Sequence, residues 1–289
     1  MNHIPVLLNE ILDYLNPQAG GVFIDATING GGHAKAIVER IGKKGKLLGI
    51  DRDHELVEKL KDSGFKVVCD TFANIQRVAE ENGFAHVDGM VFDLGFSSFH
   101  IESSGRGFSF LREEPLDMRY DTESGVSAWD IINKWPEDKL RNMLFTLGEE
   151  RFARRIVRRM VEQRDRQPIE TTTELVEIIR KAVPDSYRRG RIHFATRTFQ
   201  ALRMRVNDEL EHVAKGIADA VSLLATGGRI VVISFHSGED RIVKEIFREG
   251  ERNGSLRRIT KKPIRAGAAE CAENPRSRSA KLRVAERII

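Results

Sequence analysis

The chain has 289 residues, of which 40% are hydrophobic and 31% are charged. This length allows two domains with a sizeable core, and the lack of any apolar run of about 18 residues excludes a membrane-spanning helix. Cys69 and Cys271 match no metal or redox spacing, and residues 1–5 carry no export signal, so we expect a protein of the reducing cytoplasm.

The net charge of +4 is unevenly distributed along the chain. Residues 1–104 contain 10 Lys/Arg and 15 Asp/Glu, whereas residues 141–205 contain 16 and 8, and residues 252–289 contain 11 and 3. Two basic blocks beside an acidic segment favour a polyanionic partner such as nucleic acid. A solvated basic surface is the alternative.

Residues 3–16 carry apolar side chains at helical spacing and end before Pro17, which predicts a short first helix. The next segment, residues 22–33, reads VFIDATINGGGH. It predicts a buried strand, a glycine turn and a helix N-terminus, where backbone N–H groups can donate to a ligand. Its glycine spacing differs from the dinucleotide fingerprint, so we expect another kind of nucleotide pocket; a plain connecting loop is the alternative.

Three further buried strands are predicted, each followed by helical sequence, at Lys46–Ile50, Phe65–Cys69 and Val87–Phe92. Repeated strand–helix units predict a parallel, doubly wound α/β sheet. Ligands bind such sheets beyond the carboxyl ends of the strands, so the residues just after each strand are candidate ligand contacts.

Asp51 ends the second predicted strand, where a nucleotide-binding sheet places a carboxylate on ribose hydroxyls. The alternative is that Asp51 is the N-cap of a helix over residues 54–61. Phe72 follows the third strand and can contact a purine face or belong to the core. Asp93 ends the fourth strand and completes the set.

The strand–helix alternation stops after Asp93. Residues 103–121 are predicted to be a loop rich in Arg, Phe and Gly, and four helices follow, at Ala128–Asn133, Glu137–Leu147, Glu149–Arg164 and Thr173–Val183. We therefore expect an inserted helical subdomain at residues 105–200 that recognises the substrate, and a core formed by residues 1–104 and 201–289.

The remaining chain is predicted to return to the sheet. We expect one long amphipathic helix over residues 199–224, a fifth strand at Arg229–Phe235 and a helix at Asp240–Glu249. Residues 256–259 and 280–287 are predicted to close the sheet as an antiparallel hairpin, and residues 265–278 to form an exposed loop.

Several sequence blocks, in order, resemble those of one family: HIPVLL (3–8), DAT (25–27), GGGH (30–33), DLG with SS (93–98), RGFSF (106–110), PLDMR (115–119), FQALR with VN (199–207), SFHS with EDR (234–241) and NPRSRSAKLR (274–283). This family is the bacterial 16S rRNA cytosine-N4 methyltransferases. The resemblance implies a class I methyltransferase-like doubly wound sheet with an inserted helical subdomain. It also implies methyl transfer from S-adenosylmethionine to the exocyclic N4 of a cytidine in the decoding centre of 16S rRNA.

The resemblance further implies which residues bind the cofactor: Gly31, Gly32, His33, Asp51, Phe72, Asp93 and His100. His100 stands where the family usually has glutamine, and Asn29 replaces a family glycine. The expected partner is 16S rRNA within the small ribosomal subunit, and a homodimer is a further expectation. A ribosome-assembly factor that binds RNA and cofactor without turnover is the competing hypothesis.

The amino nitrogen of cytosine is a poor nucleophile, so methyl transfer requires in-line placement and an acceptor for the amino proton. Candidates for contacting the base are Asp117, Asn207 and His236. Asp117 can instead form an ion pair with Arg119 or Arg112, and the other two can be satisfied structural groups.

RNA-binding residues are predicted in two places within the inserted subdomain. Arg106 and Phe108 offer a phosphate contact and a stacking surface, with a loop packed by its own aromatic rings as the alternative. Arg154, Arg155 and Arg158 recur at near-helical spacing and form a basic cluster, for which a solvated helix face is the alternative.

Overall fold

A computed structural model describes residues 4–94, 104–123 and 125–289. The chain divides into two compact units. The sheet unit comprises residues 1–96 and 210–289, and the helical unit comprises residues 97–209. The insertion predicted from the sequence, residues 105–200, is shorter at both ends than the helical unit.

The sheet unit is built on seven strands: β1 Val22–Asp25, β2 Lys46–Asp51, β3 Lys66–Cys69, β4 Val87–Asp93, β5 Leu224–Ser234, β6 Leu256–Arg258 and β7 Lys281–Arg287. Their order is β3-β2-β1-β4-β5-β7-β6. The first five strands are parallel, and β7 is antiparallel to both β5 and β6. The predicted doubly wound α/β class is confirmed, and the predicted antiparallel pairing at its end is present.

The helices in chain order are α1 Leu8–Leu15, α2 Gly32–Ile41, α3 His54–Leu60, α4 Ile75–Glu81, α5 Ala128–Lys134, α6 Glu137–Thr146, α7 Ala153–Arg164, α8 Thr172–Ala182, α9 Asp185–Arg188, α10 Thr196–Val206, α11 Glu209–Leu223, α12 Ser237–Arg252 and α13 Ala268–Glu273. Short 3-10 turns occur at Phe72–Asn74 and Pro275–Ser279.

Apolar side chains cover both faces of the sheet, as expected for parallel strands enclosed by helices. Successive residues of β4 point to opposite sides, so Met90 joins the core with Ile217 of α11, and Val91 joins the core with Ile37 of α2. All four of these side chains are completely buried. The polar residues at the strand ends are therefore held on a rigid platform.

The helical unit has its own apolar core, formed by α5 to α8 and α10. Capping boxes begin α5 at Ser127 and α8 at Thr171, which explains why both helices start close to their predicted positions. Helix α7 begins at Ala153, later than predicted. Glu149 has a left-handed φ of 48°, and the buried carboxylate of Glu150 accepts from Phe152 N at 2.9 Å, so residues 149–152 form a turn.

The prediction of one helix over residues 199–224 is wrong, because α10 ends before Asn207 and α11 begins at Glu209. Asp208 has a left-handed φ of 46°. The Asn207 amide donates to Met118 O at 2.8 Å and accepts from Tyr120 N at 2.9 Å. A distant loop therefore fixes the position of the break.

The prediction that residues 265–278 form an exposed loop is also wrong. The segment contains α13 and most of the second 3-10 turn, and Asn274 and Ser277 within it are buried. Asn274 Nδ2 donates to Ile4 O at 3.1 Å, and Glu270 Oε1 accepts from Leu7 N at 2.7 Å. Residues 4–7, called the N-terminal strap below, are thus tied to the C-terminal part of the chain.

Candidate cofactor site and substrate-binding residues

Three aspartates lie at the carboxyl ends of adjacent parallel strands. Asp25 ends β1, and Asp51 and Asp93 end the strands on either side of it, β2 and β4. β1 pairs in parallel register with both neighbours. The sheet therefore brings together Asp51 and Asp93, which the sequence predicted at separate strand ends, and adds Asp25 between them.

The turn after β1 is pinned to both neighbouring strands by hydrogen bonds. Ala26 N donates to Val91 O at 2.9 Å, and Ile28 N donates to Ile50 O at 2.9 Å. Thr27 Oγ1 also accepts from Asp93 N at 2.6 Å. The Asp-Ala-Thr block thus acts as a brace that fixes the spacing of the strand ends.

The Asp51 carboxylate faces this turn and is not the cap of the next helix. Its Oδ2 accepts from Asn29 N at 2.9 Å, and its Oδ1 accepts from Asp53 N at 3.0 Å. Asp53 is the N-cap of α3, because its carboxylate accepts from Glu55 N and Leu56 N. Carboxylate oxygens accept more than one hydrogen bond each, so Asp51 can still bind a ribose diol.

The backbone of the glycine turn adopts positive φ angles, which favour glycine and asparagine. Gly31 precedes α2 with a φ of 75°, which L side chains rarely adopt. Asn29, in the place of the family glycine, has a φ of 47°, and asparagine tolerates this region better than most residues. A Cβ at Gly32 would lie 2.3 Å from Pro5 Cγ, so the N-terminal strap lies directly on the start of α2.

The His33 side chain is buried beneath the turn. Its Nε2 lies 3.0 Å from Val6 O and donates to this carbonyl, while its Nδ1 lies 3.9 Å from Asp93 Oδ2. Burial lowers the pKa of His33, although nearby Asp25 opposes the shift. The imidazole therefore anchors the N-terminal strap through Nε2, and the backbone N–H of His33 at the start of α2 is a candidate ligand contact.

Asp93 is the most unusual of the three carboxylates. Burial raises its pKa to about 7, and Arg276 opposes this shift. Its Oδ1 has no hydrogen-bond partner among the residues that the structure describes. Burial also raises the pKa of Asp25 to about 6, although His33 and the Thr27 N–H partly offset this. Arg276 was not among the predicted site residues, although the NPRSRSAKLR block that contains it was recognised.

Phe72 packs into the core on at least one side. Its ring meets Phe92 edge-on at 5.8 Å, and a Cβ at Gly216 of α11 would lie 2.6 Å from Phe72 Cδ2. The ring is half-buried, so a contact with a purine stays a prediction. His100 lies outside the described residues.

The three candidates for contacting the base all have structural partners. Asp117 accepts from Arg119 Nη2 at 2.7 Å, which is the ion pair weighed from the sequence. Asn207 holds residues 118–120 through its amide, as described above. His236 is the N-cap of α12, where its Nδ1 accepts from Glu239 N at 3.4 Å. Its buried Nε2 lies 3.2 Å from Glu239 Oε1 but makes no hydrogen bond with the described residues.

The Arg106 and Phe108 side chains stabilise their own loop. Arg106 Nη1 donates to Arg119 O at 3.1 Å and to Tyr120 O at 2.9 Å. The Phe108 ring stacks on Tyr120 with centroids 5.4 Å apart. These contacts agree with the alternative of a loop packed by its own aromatic rings, and an RNA contact at Arg106 or Phe108 stays a prediction.

The predicted basic cluster lies on the solvent side of α7. Arg154, Arg155 and Arg158 are exposed. Arg158 pairs with Glu162 at 2.9 Å, whereas Arg154 and Arg155 have no ion pair within the described part of the chain. Two unpaired guanidinium groups are therefore presented to solvent.

Comparison with known proteins places the chain in a family. The model of the MraW methylase family matches residues 1–288. The chain belongs to the MraW methylase family. Relatives named ribosomal RNA small subunit methyltransferase H include the Halothermothrix orenii protein, 45% identical over 100% of this chain and 99% of the relative. The Persephonella marina protein, with the same name, is 44% identical over 100% of both chains.

The MraW-family assignment confirms the predicted enzyme class, an S-adenosylmethionine-dependent methyltransferase. Among solved structures, an rRNA methylase from Streptococcus thermophilus is similar with a TM-score of 0.43 and 10% identity, covering 100% of both chains. No helix in the described ranges is long and apolar enough to cross a membrane.

The residues at the carboxyl edge of the sheet fit this cofactor. S-adenosylmethionine carries a sulfonium and an ammonium, both cationic, and a ribose diol. A buried carboxylate with an unpartnered oxygen, such as Asp93, is stabilised by a nearby cation. Asp51 supplies acceptors suited to the diol, and the positive φ of Gly31 lets the backbone approach a ligand closely.

Proposed function

We propose that this MraW-family methylase transfers a methyl group from S-adenosylmethionine to the exocyclic N4 of a cytidine in the decoding centre of 16S rRNA. The observation that carries the proposal is the set of acidic groups around the braced glycine turn, with Asp93 buried and incompletely satisfied. The names of the full-length relatives support the small ribosomal subunit as the substrate, and the cytoplasm as the place of action.

Cofactor binding is assigned to groups on three strand ends and one helix start. Gly31, Gly32 and His33 contribute backbone, and Asp51 accepts from ribose hydroxyls. Phe72 and His100 complete the set as the family resemblance implies. Asp93 offsets positive charge, because its carboxylate is ionised above a pH of about 7. When bound, the cofactor supplies an activated methyl group.

The transfer itself is proposed as direct in-line attack by the amino nitrogen, with no covalent enzyme intermediate. Attack by the lone pair forms the N–C bond as the C–S bond breaks, and the amino proton then leaves to an acceptor. Asp117, Asn207 and His236 act in this scheme as positioning groups, because their described hydrogen bonds hold the 118–120 segment and the start of α12. RNA is held by Arg154, Arg155 and Arg158 on α7.

Incubation with radiolabelled S-adenosylmethionine and small ribosomal subunits tests this function. We expect label in 16S rRNA and N4-methylcytidine after digestion to nucleosides and mass spectrometry. Cofactor and RNA binding without any transferred methyl group would instead identify a non-catalytic assembly factor and overturn the proposal. Subunits that are already methylated at the target would accept no label, so subunits from cells lacking this enzyme are required.

A further inference from the structure

Three rings form a stack at the surface of the helical unit. The Phe110 ring lies parallel to the His193 imidazole, with centroids 4.6 Å apart and an interplanar angle of 8°. His193 also lies against Phe194, with centroids 4.2 Å apart. Phe110 meets Phe199 of α10 edge-on at 5.5 Å, so the stack is anchored to the core while His193 is exposed.

The residues next to these rings expose unusual apolar area. Leu111, directly after Phe110, is 79% exposed, and Ile192, directly before His193, is 48% exposed. Single exposed apolar residues are ordinary, but these two directly adjoin the stacked residues Phe110 and His193 in the chain. Neither residue was singled out from the sequence.

Unpaired positive charge lies in the same segment. Arg189 and Arg191 are exposed, and neither has an ion pair or hydrogen-bonded side-chain partner in the described ranges. Their neighbour Arg188 differs, since it is paired with Asp185. A guanidinium without a protein partner is suited to two parallel hydrogen bonds with a phosphate.

The His193 ring is neutral, which suits it to stacking rather than to an ionic contact. Its Nδ1 accepts from Ala195 N at 3.3 Å, so the neutral ring carries its proton on Nε2 and can donate from there. Partial burial lowers the pKa of His193, which keeps the ring neutral at pH 7. Aromatic rings stack on any nucleobase, independent of sequence. Because Phe110 and Phe194 already lie against the imidazole, a base adds to the outer rings of the stack and can accept from His193 Nε2.

We infer that residues 110–111 and 189–194, the ring surface, bind unpaired RNA: bases extend the ring stack, and Arg189 and Arg191 hold the phosphates. Unpaired RNA is favoured over a duplex because bases within a duplex are already stacked and present no open face. The inference rests on the proposed function, since it names where the helical unit holds its RNA. It is separate from the predicted RNA contacts at Arg106 and Phe108, whose side chains stabilise their own loop.

The test compares binding of a short unstructured RNA and of a duplex of equal length, measured by fluorescence anisotropy at several salt concentrations. His193→Ala removes the ring and should weaken binding of the unstructured RNA roughly tenfold, with little change in salt dependence. His193→Phe keeps the ring and should restore binding. Leu111→Ser should also weaken binding of the unstructured RNA. Its side chain is largely in solvent, so folding is not at risk.

Charge reversal tests the two arginines of the ring surface separately from its rings. The double variant Arg189→Glu, Arg191→Glu should weaken RNA binding and reduce the slope of log affinity against log salt by about 0.7 per lost phosphate contact. The matched control is Arg180→Glu, which changes an exposed arginine of the same unit that is already paired with Glu177. The control should bind RNA as the wild type does.

The outcomes separate this inference from the proposed function. Unchanged RNA binding in all variants, while the wild type still methylates small ribosomal subunits, overturns the ring surface alone. Equal losses for duplex and unstructured RNA overturn stacking. Lower activity on subunits with unchanged binding of isolated RNA assigns the surface to a ribosomal protein and also overturns the inference. A wild type that binds RNA through this surface but transfers no methyl group overturns the proposed function instead.

Discussion

The carboxyl edge of the sheet and the loop over residues 106–120 are both rich in charged groups, but they use them differently. In the loop, Arg106 and Asp117 bind partners within the loop itself. At the sheet edge, Asp93 is buried with an oxygen that lacks a described partner, and its pKa is raised to about 7. Satisfied groups stabilise a fold, whereas buried groups left incompletely satisfied indicate where a ligand completes the structure.

The largest effect on stability is expected from breaking a buried ion pair whose charged groups are bonded to each other and to the loop. Arg203 Nε donates to Glu209 Oε1 at 2.8 Å, its Nη2 donates to Oε2 at 2.9 Å, and Tyr120 OH also donates to Oε1 at 3.1 Å. Arg203→Met leaves the Glu209 charge buried without its main partner. The free energy of unfolding, measured in urea, should fall by about 3–5 kcal/mol.

A second variant shows whether the pair or its volume matters. The double change Arg203→Met, Glu209→Leu removes both charges and should recover much of the lost stability. If the single variant loses less than about 1 kcal/mol, the pair is screened by solvent and the loop is less rigid than its hydrogen bonds indicate.

At the carboxyl edge of the sheet, titration of the buried Asp93 carboxylate should make the free energy of unfolding depend on pH. Its folded-state pKa of about 7 lies above the ordinary value of 3.8. The stability that its bound proton contributes is therefore fully present below about pH 4 and is lost as the pH rises through 7. Asp93→Asn should remove this dependence and make the variant more stable than the wild type at pH 8, by a few kcal/mol.

Cofactor affinity should follow the opposite trend. Affinity of the wild type should increase as the pH rises through about 7, because the ionised Asp93 carboxylate attracts a cationic ligand. Calorimetry of S-adenosylmethionine binding from pH 6 to pH 8 measures this, with Asp93→Asn expected to give a flat profile. A wild-type profile as flat as that of the variant would remove Asp93 from the site.

Asp51 and Asp53, in the turn between β2 and α3, allow a matched comparison of cofactor binding with helix capping. Asp51→Ala should weaken binding of S-adenosylmethionine and of its demethylated product by about 1–3 kcal/mol, because ribose hydroxyls lose an acceptor. Asp53→Ala should instead reduce stability by about 0.5–2 kcal/mol through loss of the α3 cap, with cofactor affinity unchanged. Equal affinities for Asp51→Ala and the wild type would exclude Asp51 as a ligand.

A smaller, salt-dependent effect is expected on α7. Reversing Arg154 and Arg155 to glutamate should lower activity on small ribosomal subunits and flatten its dependence on salt. Arg141→Glu is the control, since Arg141 is half-exposed and paired with Asp138. Cofactor affinity should be the same in all of these proteins; unchanged activity would leave the cluster as a solvated helix face.

The smallest effect is expected at the cysteines. Carbon-5 methylation of cytosine normally uses a cysteine that adds covalently to the ring, whereas attack by the amino nitrogen needs none. Both cysteines are half-buried free thiols. Cys69→Ser with Cys271→Ser should leave methyl transfer intact, and a 5-methylcytidine product lost in this variant would contradict the proposed mechanism.

The sheet could be predicted from the sequence because its signals are local. Each of the first four strands is a short apolar run that ends at or just before an acidic residue, and the observed ends lie close to the predicted ones for β2 to β4. The end of α10 could not be predicted, because it depends on Met118 O and Tyr120 N, which lie far from Asn207 in the chain. Helical periodicity alone continues through that position.

The roles of the site residues could likewise be predicted only in part from the sequence. Asp51 and Asp53 are two acids in one turn, and composition cannot decide which one caps α3; only the hydrogen bonds of the folded chain do. The role of Arg106 likewise depends on carbonyl groups of residues 119 and 120, which the RGFSF block does not contain. Residue types predicted the kind of chemistry, while long-range contacts assign each group to ligand or scaffold.

The N-terminal strap has a consequence for how the protein folds during synthesis. Leu7 N bonds to Glu270, Ile4 O to Asn274, and Val6 O to His33. The helical unit is one continuous segment and can fold when residue 209 has emerged, but the strap and β7 need the last part of the chain. The nascent polypeptide therefore carries an unfinished candidate cofactor site until translation is nearly complete, and truncation after β6 should abolish cofactor binding rather than weaken it.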